Sequence, residues 1–244
     1  MPTAGRPLQQ KRSRPNSHRE VRLRREGFTS IAGVDEVGRG CLFGPVVAAA
    51  VILDPKHPIR GLQDSKQINP QLRETLSDQI RQRARAFAFG AINSADIDRW
   101  NIYEATRRAM SMAVQLLNVR ADFVLVDAMQ LDIDIPQKSL IRGDVHCTSI
   151  AAASILAKVE RDHWMRIWDK LYPQYSLSSN KGYSTPDHLK ALREHGPTPL
   201  HRFSFRPVRE TVRLNTSAGA GQYSGTTPLL SAEKFRARDH ENTS

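Results

Sequence analysis

The 244-residue sequence predicts an α/β fold in which helices flank a mixed β-sheet. Two apolar runs, residues 29–35 and 44–53, are separated by a short glycine-containing turn and predict a pair of strands in a hairpin. A later run, residues 123–126, is short and fully apolar, which is typical of a strand buried on both faces. Residues 148–171 show a helical pattern that starts with small side chains, which favours tight packing against the sheet.

The other elements are expected to alternate along the chain. They are a helix opening at Asn69-Pro70, a strand over residues 86–92, one helical region capped by Ser94 or Asp96 and reaching about Leu116, a short strand over residues 138–141, and a short helix near residues 187–195. Thr148 or Ser149 is expected to cap the long helix, because a hydroxyl can accept a hydrogen bond from a free amide of the first turn.

The composition favours a globular protein without a membrane span. Hydrophobic residues make up 39% of the chain, and no apolar run approaches the roughly 20 residues that a spanning helix needs. The N-terminus lacks the apolar segment of a secretory signal. Cys41 and Cys147 form neither a metal-spacing motif nor a disulfide framework. We therefore expect a protein of the reducing cytoplasm.

Charge and composition divide the chain into a folded domain and two tails. The net charge of +11 favours a polyanionic partner. Residues 1–27 hold eight Lys or Arg, two Glu and almost no apolar pattern, which predicts a disordered basic arm. This arm either adds salt-dependent affinity for nucleic acid or acts as a solubilising tail. Residues 215–244 are rich in Ser, Thr, Gly and Ala and predict a disordered polar tail, leaving residues 28–214 as the folded domain.

The most informative stretch is residues 31–40, where an apolar run ends in the adjacent carboxylates of Asp35 and Glu36. Carboxylates at close range resist ionising together unless a cation lies between them. The turn Gly38-Arg39-Gly40 follows at once, and its glycines let the backbone approach a ligand closely while its arginine adds a fixed positive charge. The stretch predicts a metal-dependent site that acts on a phosphate-bearing substrate.

Two further acids lie at comparable positions. Asp127 directly follows the apolar run at residues 123–126, and Asp162 lies on a mostly apolar face of the long helix. The alternative role of Asp162 is a salt bridge with Lys158 or Arg166, both at helical spacing. Carboxylate oxygens suit Mg²⁺ or Mn²⁺, and two such ions can activate a water and stabilise the leaving oxygen of a phosphodiester. Regular alternation would send Asp35 and Glu36 to opposite faces, so they share a site only if the strand ends or twists there.

The folded domain resembles the ribonuclease HII family over nearly all of its length. The matching segments are residues 33–40 with 44–50, Asp64-Ser65-Lys66, residues 101–110, residues 150–165, and residues 181–205. The resemblance implies an RNase H-like fold with a central mixed five-stranded sheet and a helical C-terminal extension. It also implies hydrolysis of the RNA strand of RNA/DNA hybrids, including incision 5′ to a single ribonucleotide embedded in duplex DNA, which leaves 3′-hydroxyl and 5′-phosphate ends.

The resemblance further implies roles for particular residues. The metal ligands and catalytic residues it implies are Asp35, Glu36, Asp127 and Asp162, holding two Mg²⁺ or Mn²⁺ ions with the substrate. Those implied to bind substrate are Gly38, Arg39 and Gly40 at the ribose 2′-hydroxyl and Tyr183 on the adjoining deoxyribose. Lys181 either contacts a phosphate of the substrate or is an ordinary solvated or ion-paired lysine. The sequence departs from the usual family pattern at Cys41, Phe43, Ala128, Asn180 and Ser184.

Two other functions compete with this one. Ribonuclease HIII is related in fold but carries a folded N-terminal extension, for which the arm here is too short and too polar. A nucleic-acid-binding module would have no need of the acids, which would repel phosphates without bound metal. We expect a monomer that binds RNA/DNA hybrids and ribonucleotide-containing duplex DNA but no membrane, and we find no clamp-binding motif near residues 222–230.

Overall fold

The computed structural model describes residues 15–217 and confirms the predicted α/β architecture. Its strands are β1 (Ile31–Val37), β2 (Val46–Leu53), β3 (Ala84–Ile92), β4 (Phe123–Asp127) and β5 (Gln137–Leu140). They form one five-stranded sheet in the order β3-β2-β1-β4-β5. β2 pairs antiparallel with both β1 and β3, whereas β4 pairs parallel with both β1 and β5, so the sheet is mixed as expected.

Helices cover both faces of the sheet and form the C-terminal part. They are α1 (His18–Arg25), α2 (Pro70–Arg83), α3 (Ser94–Trp100), α4 (Ile102–Gln115), α5 (Gly143–His146), α6 (Thr148–Leu171), α7 (Leu177–Asn180), α8 (Pro186–His195) and α9 (Arg206–Ser217), with a 3₁₀ turn at Pro173–Tyr175. Between residues 15 and 217, no helix has both the length and the apolar character needed to cross a membrane.

Small side chains let the helices pack closely on the sheet. Alanines of α4 cover one face, and the alanine-rich start of α6 together with α2 covers the other. A Cβ atom at Gly33 of β1 would lie 2.2 Å from the carbonyl carbon of Ser149, so only glycine allows α6 to begin against this strand. The small-residue prediction for the long helix is thus confirmed, and α6 lies directly on the strand that carries Asp35.

The helical region after β3 is two helices rather than the single one predicted. Asn93, not Ser94 or Asp96, caps α3 by accepting a hydrogen bond from the Asp96 amide at 2.8 Å. The chain then breaks at Asn101, whose φ of 74° is not helical, and the Asn101 side chain caps α4. Because the Asn101 side chain accepts hydrogen bonds from the amides of Tyr103 and Glu104, it supplies an N-cap that explains a break which apolar periodicity did not indicate.

The prediction that the N-terminal arm is disordered is wrong over the second half of the arm, because His18–Arg25 forms α1. Glu20 is only 3% exposed. One of its carboxylate oxygens accepts hydrogen bonds from the amide and hydroxyl of Ser149 at 2.9 and 3.0 Å, and from the Cys147 thiol at 3.2 Å. Glu20 therefore caps α6 from another helix, in place of the side-chain cap predicted at Thr148 or Ser149. Residues 1–14 of the arm lie outside the described part of the chain.

At the other end, the folded domain continues slightly beyond the predicted boundary. The last helix, α9, runs to Ser217, so residues 215–217 are helical rather than part of the polar tail. The rest of that predicted tail, residues 218–244, lies outside the described residues. The helices from α7 to α9 supply the C-terminal helical part that the resemblance implied.

Replacing Glu20 with Ala is expected to lower the free energy of unfolding by about 1–3 kcal/mol, because the Ser149 amide would be buried without an acceptor. Urea unfolding of the full chain measures this loss. Arg19→Ala, on the exposed side of the same helix, is the control and is expected to change stability by less than about 0.5 kcal/mol. Equal values for the two variants would show that α1 does not anchor α6.

Candidate active site at the carboxyl ends of the central strands

Three of the predicted carboxylates converge at one edge of the sheet. Asp35 and Glu36 come from β1 and Asp127 ends β4, and each offers an oxygen within 4.8 Å of the others. The β1–β4 pairing stops at Val34 and Val126, so β1 has no partner strand on its β4 side beside the two acids, while β2 still pairs with them on the other side. Strand alternation therefore does not keep Asp35 and Glu36 apart, and the predicted grouping of these three residues is what the structure contains.

The electrostatics of this group favour a bound cation. Burial raises the pKa of Asp35 well above its usual value, and the carboxylates of Glu36 and Asp127 raise it further. Hydrogen bonds from the Ser154 side chain and from the Glu36 amide, the latter at 2.7 Å, partly oppose that rise in pKa. Because oxygen donors of like charge are crowded at a half-buried position, the residues present fit a hard divalent cation.

Asp127 is oriented by the chain that follows β5. Its Oδ1 accepts a hydrogen bond from the Gly143 amide at 2.6 Å. Burial is the main cause of its raised pKa, and the Glu36 carboxylate adds to it, whereas Lys66 and Arg39 lower it. The short segment at the start of α5 therefore holds one oxygen of Asp127 in a fixed direction.

A further acid, Asp144, lies within electrostatic reach of Asp127 and was missed by sequence reasoning. It is 8% exposed and immediately follows Gly143. Burial raises the pKa of Asp144 first, and the carboxylates of Asp64 and Asp127 raise it further, so the three acids lie within electrostatic reach. A signal existed, because Asp144 comes shortly after β5 just as Asp127 ends β4, and parallel neighbouring strands end at the same edge.

Asp162 does not join the group, contrary to the sequence-based prediction. Lys158 donates a hydrogen bond to Asp162 Oδ1 at 2.7 Å, and Arg73 Nη1 lies 3.9 Å from its other oxygen. Ser154, which bonds Asp35, is eight residues earlier on α6. Eight residues correspond to about 12 Å of helical rise, which separates Asp162 from the carboxylate group. The salt-bridge alternative with Lys158 describes this residue correctly.

The turn at Gly38 packs on a buried guanidinium group. Gly38 has a φ of 93°, and a Cβ atom there would lie 2.3 Å from Nε of Arg161. Arg161 is fully buried and donates to the carbonyl oxygens of Pro45 at 3.2 Å, Phe43 at 2.9 Å and Lys181 at 2.8 Å. The turn therefore needs glycine for both its conformation and its contact with α6.

A second buried arginine holds the same turn from the other side. Arg202 is fully buried and donates to the carbonyl oxygens of Arg39 and Gly44, both at 2.9 Å. Burial lowers the pKa of Arg202 to about 9. The side chain of Arg39 points outward, being 45% exposed, and its Nη1 lies 3.3 Å from a carboxylate oxygen of Glu36. The backbone of the turn is thus fixed while its guanidinium group stays accessible beside the acids.

Tyr183 and Lys181 lie on the loop that faces this turn. The Tyr183 side chain is exposed, and its ring edge would come within 4.0 Å of a Cβ atom at Gly40. The Lys181 ammonium donates to the carbonyl of Ser178, and burial lowers its pKa. The structure therefore brings Tyr183 to the glycine turn, while the Lys181 ammonium is engaged by its own loop.

Comparison with known proteins identifies the family. The family model described as ribonuclease HII matches residues 32–208. The chain belongs to the ribonuclease HII family. Ribonuclease HII of Solibacter usitatus is 57% identical over 195 residues, which cover 80% of this chain and 86% of that protein. Ribonuclease HII of Koribacter versatilis is 56% identical over 182 residues, covering 75% of this chain and 72% of the relative.

Solved structures share the fold. Ribonuclease H2 from Pyrococcus horikoshii superposes with a TM-score of 0.67 at 24% identity, covering 76% of this chain and 98% of its own. Bst-RNase HIII in complex with Mn²⁺ gives a TM-score of 0.58 at 19% identity, covering 78% of this chain and 71% of its own. These likenesses confirm the RNase H-like fold, and membership of the ribonuclease HII family makes the chain a metal-dependent ribonuclease H that acts on RNA/DNA hybrids.

The structure describes the surroundings of four of the five positions at which the chain departs from the usual family pattern. Cys41 and Phe43 are fully buried, and the Phe43 ring packs edge-on against His201 with centroids 4.9 Å apart. Asn180 accepts a hydrogen bond from the Gly182 amide at 2.8 Å and so stabilises the loop that carries Tyr183. Ala128 has a φ of 48°, a left-handed conformation that costs a non-glycine residue roughly 1–2 kcal/mol.

Replacing Asp35 with Asn is expected to raise the melting temperature in chelator at neutral pH, because a neutral amide relieves repulsion within a buried group of acids. An increase of about 1 kcal/mol in the free energy of unfolding corresponds to a rise of roughly 2–4 °C in the melting temperature. Adding Mg²⁺ or Mn²⁺ is expected to stabilise the parent chain, by mass action, but hardly the variant.

Calorimetry of both proteins with chelator and with each metal measures these shifts. Asp78→Asn, on the exposed side of α2, is the matched control and is expected to behave like the parent chain. A variant that is less stable than the parent in chelator would contradict the repulsion argument.

Proposed function

We propose that this chain incises duplex DNA on the 5′ side of a single embedded ribonucleotide, in addition to cleaving the RNA strand of RNA/DNA hybrids. The observation that carries the proposal is the convergence of Asp35, Glu36 and Asp127 within 4.8 Å, beside a glycine turn with a fixed backbone. Attack of water on phosphorus with breakage of the P–O3′ bond leaves a 3′-hydroxyl and a 5′-phosphate.

The reaction proposed uses two divalent ions, Mg²⁺ or Mn²⁺. When bound, such a pair activates a water and stabilises the leaving oxygen. The protein ligands proposed are Asp35, Glu36, Asp127 and Asp144, with Asp144 in the place that sequence reasoning gave to Asp162. Its support is that Asp144 interacts electrostatically with Asp127, whereas Lys158 and Arg73 already neutralise Asp162. The Mn²⁺ complex of Bst-RNase HIII, which shares the fold, supports the choice of metal class.

Recognition of the ribonucleotide is proposed for the turn Gly38-Arg39-Gly40. A backbone that is held rigid can present its amide and carbonyl groups to the 2′-hydroxyl, the group by which RNA differs from DNA. Gly40 and the Arg39 side chain are exposed, so a sugar can reach the turn. Across from Gly40, the exposed ring of Tyr183 is proposed to stack on the adjoining deoxyribose and so to favour a DNA nucleotide there.

Binding of the duplex backbone is proposed to use basic residues around the acids. Arg39 and Lys66 are exposed and lie close enough to lower the pKa of Asp127, so they also reduce repulsion between the acids and phosphate. Lys181 is proposed to contact phosphate once its ammonium leaves the Ser178 carbonyl.

A monomer is proposed as the active form. The solved PCNA complex concerns RNase HII from Archaeoglobus fulgidus, and residues 222–230 here lie outside the described part of the chain.

An end-labelled DNA duplex with one ribonucleotide tests the reaction. We expect incision on the 5′ side of that nucleotide in Mg²⁺ or Mn²⁺, no incision with chelator, and no cleavage of an all-DNA duplex. Cleavage of a continuous RNA/DNA hybrid without incision of the single ribonucleotide would contradict the junction proposal and leave the hybrid activity of the family in place.

Replacing Asp144 with Asn is expected to lower kcat by more than about 100-fold, since a metal supplies several kcal/mol and about 1.4 kcal/mol is tenfold. Asp127→Asn is expected to lower kcat by a similar factor while the protein still binds the duplex. Asp162→Asn keeps an acceptor for Lys158 and is expected to cost less than about tenfold, because it removes no metal ligand. Steady-state cleavage assays decide between the two acids: a large loss in Asp162→Asn with little loss in Asp144→Asn would restore Asp162 as the ligand.

A further inference from the structure

Two imidazole rings, those of His188 and His201, lie in direct contact with their Nε2 atoms 3.1 Å apart. Both are fully buried. The hydrogen bonds at their other nitrogens decide where the protons are. The main-chain amide of Thr198 donates to Nδ1 of His201 at 2.9 Å, so that nitrogen bears no proton and neutral His201 carries its proton on Nε2.

The direction of the remaining bonds follows. Because His201 Nε2 donates, Nε2 of His188 must accept, and the proton of His188 is on Nδ1. That nitrogen lies 2.9 Å from the carbonyl oxygen of Tyr183, an acceptor only. The three hydrogen bonds therefore form a continuous relay from Thr198 through both imidazoles to the backbone of Tyr183, and every nitrogen has a partner.

The surroundings keep this relay neutral. Burial lowers the pKa of His188 and lowers that of His201 to about 3, so the charged form of either ring is disfavoured at neutral pH. The rings of Phe43 and Tyr175 pack against His201, each with centroids 4.9 Å apart. Because the two neutral rings are enclosed by apolar side chains, each ring nitrogen keeps its role as donor or acceptor. In a solvent-exposed pair, the protons could move between the ring nitrogens.

The relay ends at Tyr183, whose ring faces the turn Gly38-Arg39-Gly40. The Tyr183 carbonyl also accepts a hydrogen bond from the Thr185 amide at 2.8 Å. The Tyr183 amide donates to the Asn180 carbonyl at 3.0 Å. We propose that His188 and His201 are positioning residues that fix the backbone of Tyr183, and through it the placement of its ring opposite Gly40. The preference for a deoxyribonucleotide on one side of the junction then depends on this pair. This inference rests on the function proposed for Tyr183.

The first test needs no variant. A long-range ¹H–¹⁵N spectrum of the full chain with ¹⁵N-labelled histidine, at neutral pH, reports which ring nitrogen is protonated. We expect opposite tautomers for the two residues, with the proton on Nδ1 of His188 and on Nε2 of His201. The same tautomer in both, or the reverse assignment, overturns the relay whatever the activity of the enzyme.

The second test measures specificity, as the ratio of kcat/KM on a single-ribonucleotide duplex to kcat/KM on a continuous hybrid. His201→Leu is expected to lower this ratio by about tenfold, because it removes one hydrogen bond that orients a substrate-contacting group. His201→Gln, whose amide can still donate to His188, is expected to keep most of the ratio. His195→Leu, the same change at an exposed histidine outside the relay, is the control and is expected to leave it unchanged.

Tyr183→Ala separates the two proposals. We expect it to lower the same ratio, and the double variant with His201→Leu to lower it no further, because the pair acts only through Tyr183. If Tyr183→Ala leaves the ratio unchanged, the role proposed for Tyr183 is wrong. If it lowers the ratio while His201→Leu and His188→Leu, both folded by calorimetry, do not, the positioning role of the histidines is wrong and that of Tyr183 stands.

Discussion

The arrangement of the site depends on two guanidinium groups buried without a carboxylate partner. Taking such a charge out of water costs several kcal/mol unless hydrogen bonds replace the lost solvation. For Arg161 and Arg202 the replacement comes from main-chain carbonyls, those of Arg39, Phe43, Gly44, Pro45 and Lys181. Because these carbonyls belong to the glycine turn, to the segment between that turn and β2, and to the loop before Tyr183, their hydrogen bonds to the two guanidinium groups hold the three segments together. Lysine cannot replace either residue, since one ammonium cannot reach several carbonyls in a plane.

The long helix α6 sets the order of the site along the central strand. Three contacts between α6 and the β1 segment follow one another in the same direction: Ser149 with Gly33, Ser154 with Asp35, and Arg161 with Gly38. One rigid element therefore positions both the first carboxylate and the turn Gly38-Arg39-Gly40. Glu20 caps this helix from α1, so the short N-terminal helix belongs to the folded domain rather than to a basic arm.

Sequence reasoning succeeded where local pattern and tertiary contact agree. Asp35, Glu36 and Asp127 end apolar strands, and the edge where such strands stop is where they meet. Asp144 escaped notice because β5 is short and partly exposed, so no apolar run precedes it. Asp162 was grouped with them because an acid on an apolar helix face resembles a ligand, but the structure places it outside the group and pairs it with Lys158 one turn away. The helix α1 was missed because its buried face combines Leu23 with a glutamate whose partners lie far along the chain.

The pairing of Asp162 also bears on how a polyanion can approach the site. The group around Asp35 needs bound cations before a phosphate can enter, since unscreened carboxylates repel it. Asp162 has no such need, because Lys158 and Arg73 already neutralise it. This part of the α6 surface therefore presents no uncompensated charge from Asp162. The carboxylate group thus lies against α6 near Ser154, and the compensated Asp162 lies about two turns further along that helix, where the duplex is proposed to bind.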